Sequence, residues 1–303
     1  MKRKLLTYLF VAGCLLPPLA AASPQPEAGD PLSDVRVLID VSGSMKHNDP
    51  HNLRASALRL VVGLLPPGAD AGVWTFAQYV NMLVPEGAVN AHWRDAARHA
   101  STQIASNGLF TNIEEAVKQA TWDWNAPDPH VRRSLILLTD GLVDVSKDKS
   151  ASAASRRRIL ADLTPRLQQA GVTVYTLGLS GQADEGLLRR IAAGTGGWYE
   201  RVSDSDGLEK AFLHTFEKTT HRDTLPLVGN AVNVDDHIQE LTLLVFRKDS
   251  AQPSRLVSPA GRTIAQGDAP ANVRWHHEAR YDLITIEHPQ PGRWKIVADD
   301  SAG

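Results

Sequence analysis

The run Val35-Arg36-Val37-Leu38-Ile39 is β-branched and almost wholly apolar, has no helical spacing, and stops at Asp40. A run of this length and composition reads as a strand buried on both faces, as in a parallel sheet covered by helices. Directly after Asp40 come Ser42 and Ser44, two hydroxyls spaced by one residue, with Gly43 between them to permit the tight path of a strand-to-helix turn. Loops at the carboxyl ends of parallel strands are where open α/β sheets hold ligands. The turn therefore reads as a ligand cup.

The residues of the cup restrict what it can hold. Phosphate would want G-x-x-x-x-G-K-[ST] or G-x-G-x-x-G, neither of which is present here, and an aspartate at the mouth repels an anion. A serine nucleophile elbow reads G-x-S-x-G, and the flanks of Ser42 and Ser44 do not fit it. An aspartyl-phosphate site would want a second aspartate where Ser42 stands. One carboxylate and two hydroxyls on one loop are all oxygen ligands, the set that a hard divalent cation takes.

One loop cannot complete six-fold coordination, so further oxygens are required downstream. The segment Gly108-Leu109-Phe110-Thr111-Asn112-Ile113-Glu114-Glu115-Ala116 puts the Thr111 hydroxyl at a loop-to-helix junction. Ser134-Leu135-Ile136-Leu137-Leu138-Thr139-Asp140-Gly141 is a second buried strand that ends in a carboxylate. Taken singly these pieces have a plainer reading, since Ser, Thr and Asp are ordinary helix N-caps. As an ordered set they resemble the von Willebrand factor A domain, whose metal-ion-dependent adhesion site is Asp-x-Ser-x-Ser, then a Thr, then an Asp-Gly after a buried strand.

The resemblance runs from Asp34 to about Thr220 and fills all five positions of that site with Asp40, Ser42, Ser44, Thr111 and Asp140. It implies a doubly wound, mostly parallel α/β sheet over 34–220. It also implies a bound Mg²⁺, or Mn²⁺ or Ca²⁺ in its place. Ser42, Ser44 and Thr111 would hold the ion directly while Asp40 and Asp140 orient its waters. By the same resemblance, an Asp or Glu of a partner protein would fill the exchangeable position. The chain further resembles exported von Willebrand A proteins of Gram-negative bacteria, which implies a periplasmic or cell-envelope location.

The N-terminus fits that compartment. Met1-Lys2-Arg3-Lys4, the apolar stretch Leu5 to Leu19 and Ala20-Ala21-Ala22 have the basic start, apolar middle and small-residue exit of a secretory signal over 1–22. The stretch is too short, and too interrupted by Pro17 and Pro18, to make a good membrane span, so no transmembrane helix is expected in the mature chain. Val11-Ala12-Gly13-Cys14 also looks like a lipobox, which leaves lipidation of Cys14 open as the less favoured route. With Cys14 the only cysteine, neither route leaves a disulfide in the mature fold. Residues 23–33 read as a tether rich in Pro, Ala and acidic residues.

Within 34–220, Leu53, Ala57, Leu60, Val61 and Leu64 recur at helical spacing ahead of Pro66-Pro67-Gly68. Ala71–Phe76 and Val80–Val84 read as two strands joined by a tight turn, followed by a helix over His92–Ile104 and another capped by Thr111. Trp122 and Trp124 read as packing residues. His47, Asp49 and His51 read as a polar loop and not as a second metal site. Leu142–Ser155 reads as a polar connector flanking the cup. Arg156-Arg157-Arg158 should open the next helix on its solvated face, with Pro165 bending or splitting it. Val172–Leu179 is a strand, Gly186–Ala193 a helix, and the Gly194–Gly197 turn precedes the last strand. Leu208–Phe216 closes the domain.

From Leu225 the period changes to short strand-like runs separated by Pro, Gly and Asp, the spacing of an antiparallel sandwich over 225–303. Its Pro-Gly hairpins resemble those of immunoglobulin-like domains. Asp235-Asp236 and His276-His277 lack a spacing that would make them zinc ligands and read as surface residues. A net charge of −2 gives no reason to expect nucleic acid as a partner. Three function classes follow: a cation-dependent protein-binding module, favoured by the resemblance and not an enzyme; a metal-dependent hydrolase, whose general base would have to come from Glu114 or Glu115; and an envelope scaffold whose metal is structural.

Overall fold

The computed structural model describes residues 7–13, 31–66, 68–140, 142–179, 183–202, 207, 211, 223–224, 230–247, 254–278 and 281–297. The chain divides into two compact units, Pro24–Thr220 on one hand and Met1–Ser23 with His221–Gly303 on the other.

The first unit is built on a six-stranded sheet. Across the sheet the strands lie in the order Val80–Ala88, Asp70–Phe76, Leu32–Asp40, Val131–Thr139, Val172–Gly178 and Tyr199–Arg201. Only Val80–Ala88 runs antiparallel to its neighbour. The other pairings are parallel. Register places Ile39 beside Leu138 and Asp40 beside Phe76, so the two apolar runs end side by side and their terminal carboxylates emerge at the same edge.

Period-two alternation sends Leu38, Leu135 and Leu137 to one face. There they pack with Ile113, Ala116 and Val117 of helix Ile113–Ala120, with Ile159 and Leu163, and with Leu187 and Ile191 of helix Glu185–Gly194. Val35, Val37, Ile39, Ile136 and Leu138 alternate with them and are equally buried. This two-sided burial is why the runs contain almost no polar residue. Arg36 is the exception. It is 2 % exposed, donates to Asp34 and Asp123, and lies 4.0 Å from the Trp124 ring centroid.

Most expected elements are present, with shifted ends: the helices are Leu53–Leu64 and Ala91–Ser101, the hairpin Asp70–Phe76 and Val80–Ala88. The Arg156–Arg158 run closes a helix, Lys149–Arg158, instead of opening one. Asp148 caps that helix by accepting from Ser150 N at 2.8 Å. Its interior is Ser and Ala, so no apolar period betrays it. The arginines lie on a solvated face as expected, Arg157 and Arg158 exposed, and two of them also form ion pairs there, Arg156 with Asp184 and Arg158 with Glu114. A turn of π-helix, Ile159–Leu163, follows, and Pro165 sits in the first turn of Thr164–Gln169, so the helical run continues to Gln169 and only its hydrogen-bond pattern changes ahead of the proline. Trp124 is buried as expected, whereas Trp122 is 68 % exposed. The helix expected over Leu208–Phe216 falls outside the described residues, except for Ala211.

The second unit has two antiparallel sheets. One runs Val273–His277, Tyr281–Glu287, Ile238–Phe246, Thr7–Gly13 and Asp223–Thr224; the other runs Thr263–Ile264, Arg255–Val257, Gly292–Val297 and Ala231–Val234. One apolar cluster draws on both, joining Leu241, Leu243, Trp275 and Ile284 of the first to Val232, Leu256, Trp294 and Ile296 of the second, which makes a sandwich. Thr7–Gly13, read from the sequence as part of a leader, is here a strand paired from Thr7↔Val245 to Gly13↔Ile238. The Asp235-Asp236 pair is exposed, but His277 is half-buried and its Nδ1 lies 2.7 Å from Asp282 Oδ1. This residue of the second unit is thus part of a buried polar cluster and not of the open surface. Among the described residues no helix is long and apolar enough to cross a membrane.

Candidate metal centre

Asp40 sits where its strand ends, fully buried. Its Oδ1 accepts from the Ser42 backbone N–H at 2.8 Å and its Oδ2 from the Thr139 hydroxyl at 2.6 Å. Thr139 is the last residue of the neighbouring strand, so the parallel register itself supplies this donor. Arg54, 1 % exposed, donates from Nη1 to the Asp40 carbonyl at 2.6 Å and from Nη2 to Ser106 Oγ at 2.8 Å. The guanidinium therefore holds the backbone of the cup, while the Asp40 carboxylate is held by an amide and a hydroxyl.

From Asp40 the chain turns through Ser42–Ser44 into the short helix Met45–Asn48, anchored by the fully buried Met45. Ser42 Oγ lies 3.0 Å from Ser44 Oγ, and Ser44 Oγ donates to Asp140 Oδ1 at 3.0 Å. Asn48 Nδ2 donates to Asp140 Oδ2 at 3.0 Å. Four of the sequence-predicted residues thus form one hydrogen-bonded chain. Thr111, 5 % exposed, reaches the same place through the backbone. Gly108, three residues before it, donates its N–H to Val41 O at 2.9 Å and bridges Ser42, while Thr111 pairs with Asp144, just beyond Asp140. Gly108 has to be glycine: a Cβ there would lie 2.2 Å from Ala77 Cβ and 3.0 Å from Val41 O.

Burial pushes the Asp40 carboxyl up to about 6. The hydrogen bonds from Ser42 and Thr139 work against that rise and the nearby Asp140 charge adds to it. A carboxylate raised in this way is relieved by a cation placed beside it. The converging donors are all oxygens, the set suited to Mg²⁺, Mn²⁺ or Ca²⁺. Among the described residues no group of three or more His, Cys, Asp or Glu is arranged to hold a metal ion. The hydroxyls of Ser42 and Ser44 beside the carboxylates of Asp40 and Asp140 are the oxygen donors that fit a hard cation.

The profile of the von Willebrand factor type A domain matches residues 34–214. The chain belongs to that family. No curated protein matches the sequence. Among solved structures, a von Willebrand factor type A protein from Catenulispora acidiphila is 20 % identical with a TM-score of 0.49, over 90 % of this chain and 64 % of that one. Proximal thread matrix protein 1 of the mussel byssus, with a zinc-occupied MIDAS motif, is 19 % identical with a TM-score of 0.46, over 62 % of this chain and 48 % of that one. The pilus adhesin SpaC of Lactobacillus rhamnosus GG is 16 % identical with a TM-score of 0.47, over 90 % and 40 %. This chain therefore spans less than two thirds of the length of each.

Within the von Willebrand A domain, several residues around the cup differ from their sequence reading. Asn112, not Thr111, caps helix Ile113–Ala120, accepting from Glu115 N at 3.1 Å. Of two adjacent good cappers the chain uses the second, which keeps the Thr111 hydroxyl out of the cap. Asp49 spends both carboxylate oxygens on the N–H groups of Leu53 and Arg54 and on Arg54 Nε, so the His47–His51 loop is polar scaffolding. Asn48, Arg54 and Thr139 were not singled out from the sequence. Arg54 carried a signal, a charge beside the apolar stripe of its helix. Asn48 and Thr139 carried none, because their bonds span 92 and 99 residues.

Proposed function

We propose that this protein is an exported, divalent-cation-dependent protein-binding module that captures a partner's Asp or Glu carboxylate at the cup. The observation that carries this reading is the hydrogen-bonded chain in which Asp40, Ser42 and Asp140 are buried and Ser44 is exposed, with the Asp40 carboxyl raised to about 6. In it Ser42, Ser44 and Thr111 hold the ion, and Asp40 and Asp140 orient its waters. A bound Mg²⁺ or Mn²⁺ would supply Lewis acidity and an exchangeable position for an incoming carboxylate. Thr139 and the Ser42 amide fix both oxygens of Asp40, and Ser44 and Asn48 fix those of Asp140, so the carboxylates are oriented before any ligand arrives. The basic start, apolar middle and small-residue exit of residues 1–22 support export to the periplasm or envelope; cleavage there would take the strand Thr7–Gly13 out of the mature second unit.

Hydrolysis is the weaker reading. Glu114 has both oxygens engaged by Arg158, Lys118 and Ser155, and Glu115 accepts from Gln119, so neither stands ready as a general base. The test is a thermal melt of the full chain beside Asp40→Ala, titrated with Mg²⁺, Mn²⁺, Ca²⁺ and EDTA. At a hundred times its dissociation constant an ion adds about 2.7 kcal/mol, or about 5–10 °C for a domain of this size. The wild type should shift and the variant should not. A wild type indifferent to all three ions refutes the reading.

A further inference from the structure

The cup is bordered by large apolar side chains that the domain leaves in water. Tyr79, Leu109 and Leu142 are 72 %, 69 % and 61 % exposed. Single exposed apolar residues are ordinary on a protein surface, but grouped ones mark interaction sites. These are grouped by the backbone. Leu109 follows Gly108, which bridges Ser42, and Leu142 stands two residues beyond Asp140 on the loop whose Asp144 pairs with Thr111. Tyr79 belongs to the turn in which Ala77 N donates to Tyr79 O and Ala77 O accepts from Asn112 N. Three loops at the carboxyl edge of the sheet thus each put one of these residues beside the cup.

Phe110 adds a second observation. Its φ is +60°, the left-handed region that a bulky residue adopts only under strain. Strain of this kind persists where the surroundings enforce it and gathers at ligand clamps. Glycine would relieve it, yet the chain carries an aromatic there, half-buried and next to the exposed Leu109. The segment 105–113 contains no charged residue, nor do Leu142 and Val143. A charged neighbour stands instead on the short helix after Ser44, where Lys46 is exposed.

Building on the cation-dependent reading of the cup, we propose that Leu109, Phe110, Leu142 and Tyr79 form an apolar collar that selects a protein segment in which the acidic residue is flanked by large apolar side chains. The cup takes the carboxylate and the collar takes its neighbours. An acidic residue between polar or basic neighbours would leave the collar in water and gain nothing from it, so the collar is the specificity element of the surface.

The test uses the full chain, immobilised in Mg²⁺ and panned with a random twelve-residue phage-displayed peptide library eluted by EDTA. The expected enrichment is Asp or Glu with Leu, Ile, Met, Phe or Trp within two positions. A synthetic peptide of the enriched sequence should bind the double variant Leu109→Ser/Leu142→Ser about tenfold more weakly or worse, as the loss of two leucines that the bound peptide would partly cover implies. The Mg²⁺ thermal shift of that variant should match the wild type, which shows that the cup and the fold are intact. Enriched acidic residues flanked by polar or basic residues, bound equally by the double variant, overturn the collar and leave the cup standing. Absence of both EDTA-eluted peptides and a Mg²⁺ shift overturns the cup, and the collar with it. Self-association of the wild type that is lost in the double variant puts a second copy on these residues and also overturns the assignment.

Discussion

Replacing Glu114 with glutamine keeps the shape of the side chain and removes its charge. The residue stands in the first turn of the helix after Thr111, with its side chain 7 % exposed. Its carboxylate accepts from Lys118 Nζ at 2.6 Å, from Ser155 Oγ at 2.7 Å, and from Arg158 Nε and Nη2 at 2.9 and 2.7 Å. Ser155 and Arg158 belong to the helix that follows the Asp140 loop. One carboxylate thus ties together the two helices whose preceding loops supply Thr111 and Asp140. Burial alone would raise the Glu114 carboxyl, but the donors outweigh it and lower it from 4.5 to about 2.

That depression corresponds to about 3.4 kcal/mol at about 1.36 kcal/mol per pKa unit. Lys118 and Arg158 are 50 % and 51 % exposed, so solvent screens part of it, and about 2–3 kcal/mol is the expected contribution at neutral pH. A carboxyl depressed on folding stabilises fully above its unfolded pKa and loses that contribution as pH falls through the folded value. Urea unfolding of wild type and Glu114→Gln at pH 7 should therefore differ by about 2–3 kcal/mol, equivalent to about 4–12 °C in Tm. The gap should narrow as pH falls from about 4.5 toward 2. A gap that stays constant over that range, or one below about 0.5 kcal/mol at pH 7, refutes the assignment of the stabilisation to ion pairing.

Two substitutions probe the scaffold of the cup. Gly108→Ala forces a methyl against Ala77 Cβ, which cannot rotate away, so the strand bridge to Ser42 should shift at a cost of about 1–3 kcal/mol in urea unfolding, with a reduced Mg²⁺ response. Thr139→Val is close to isosteric and removes the hydroxyl that donates to Asp40 Oδ2 at 2.6 Å. Leaving that buried oxygen without its donor should cost about 1–3 kcal/mol in metal-free protein, again by urea unfolding.

The strands that end at Asp40 and Asp140 were legible because two-sided burial leaves a compositional mark that survives without any knowledge of neighbours. So were the positions of Ser42, Ser44 and Thr111, since each follows or precedes a regular element whose period is visible. Helix Lys149–Arg158 was hidden for the opposite reason: its buried residues are Ser152 and Ser155, so nothing apolar repeats along it. Short strands such as Ala231–Val234 and Thr263–Ile264 offer too few residues for a period to show. The contacts that shape the cup join residues far apart in the chain. Nothing local to Asn48 says that its amide holds Asp140, and nothing local to Glu114 says that Ser155 and Arg158, on the helix after the next strand, share its carboxylate with Lys118. Nothing in the sequence around Arg36 marks Trp124 and Asp123 as its neighbours; only the fold reveals them.

The two ends of the central strand show how differently one domain treats its buried acids. At the amino end Asp34 and Asp123 meet the Arg36 guanidinium, which is stacked on Trp124. An arginine is there set among three acids, Glu86 included, and offsets part of their negative charge from within the chain. At the carboxyl end Asp40 is fully buried, feels the charge of Asp140, and has its oxygens held by the neutral groups of Ser42 and Thr139. Arg54 is close enough to donate to the Asp40 carbonyl but is turned to the backbone and to Asp49, so its charge is committed elsewhere. Neutral donors orient a carboxylate without cancelling its charge. An arginine set against one acid cluster and neutral donors around Asp40 support the proposed cation site at that end. It is also the end where the sheet opens to solvent and where Leu109 and Leu142 stand exposed.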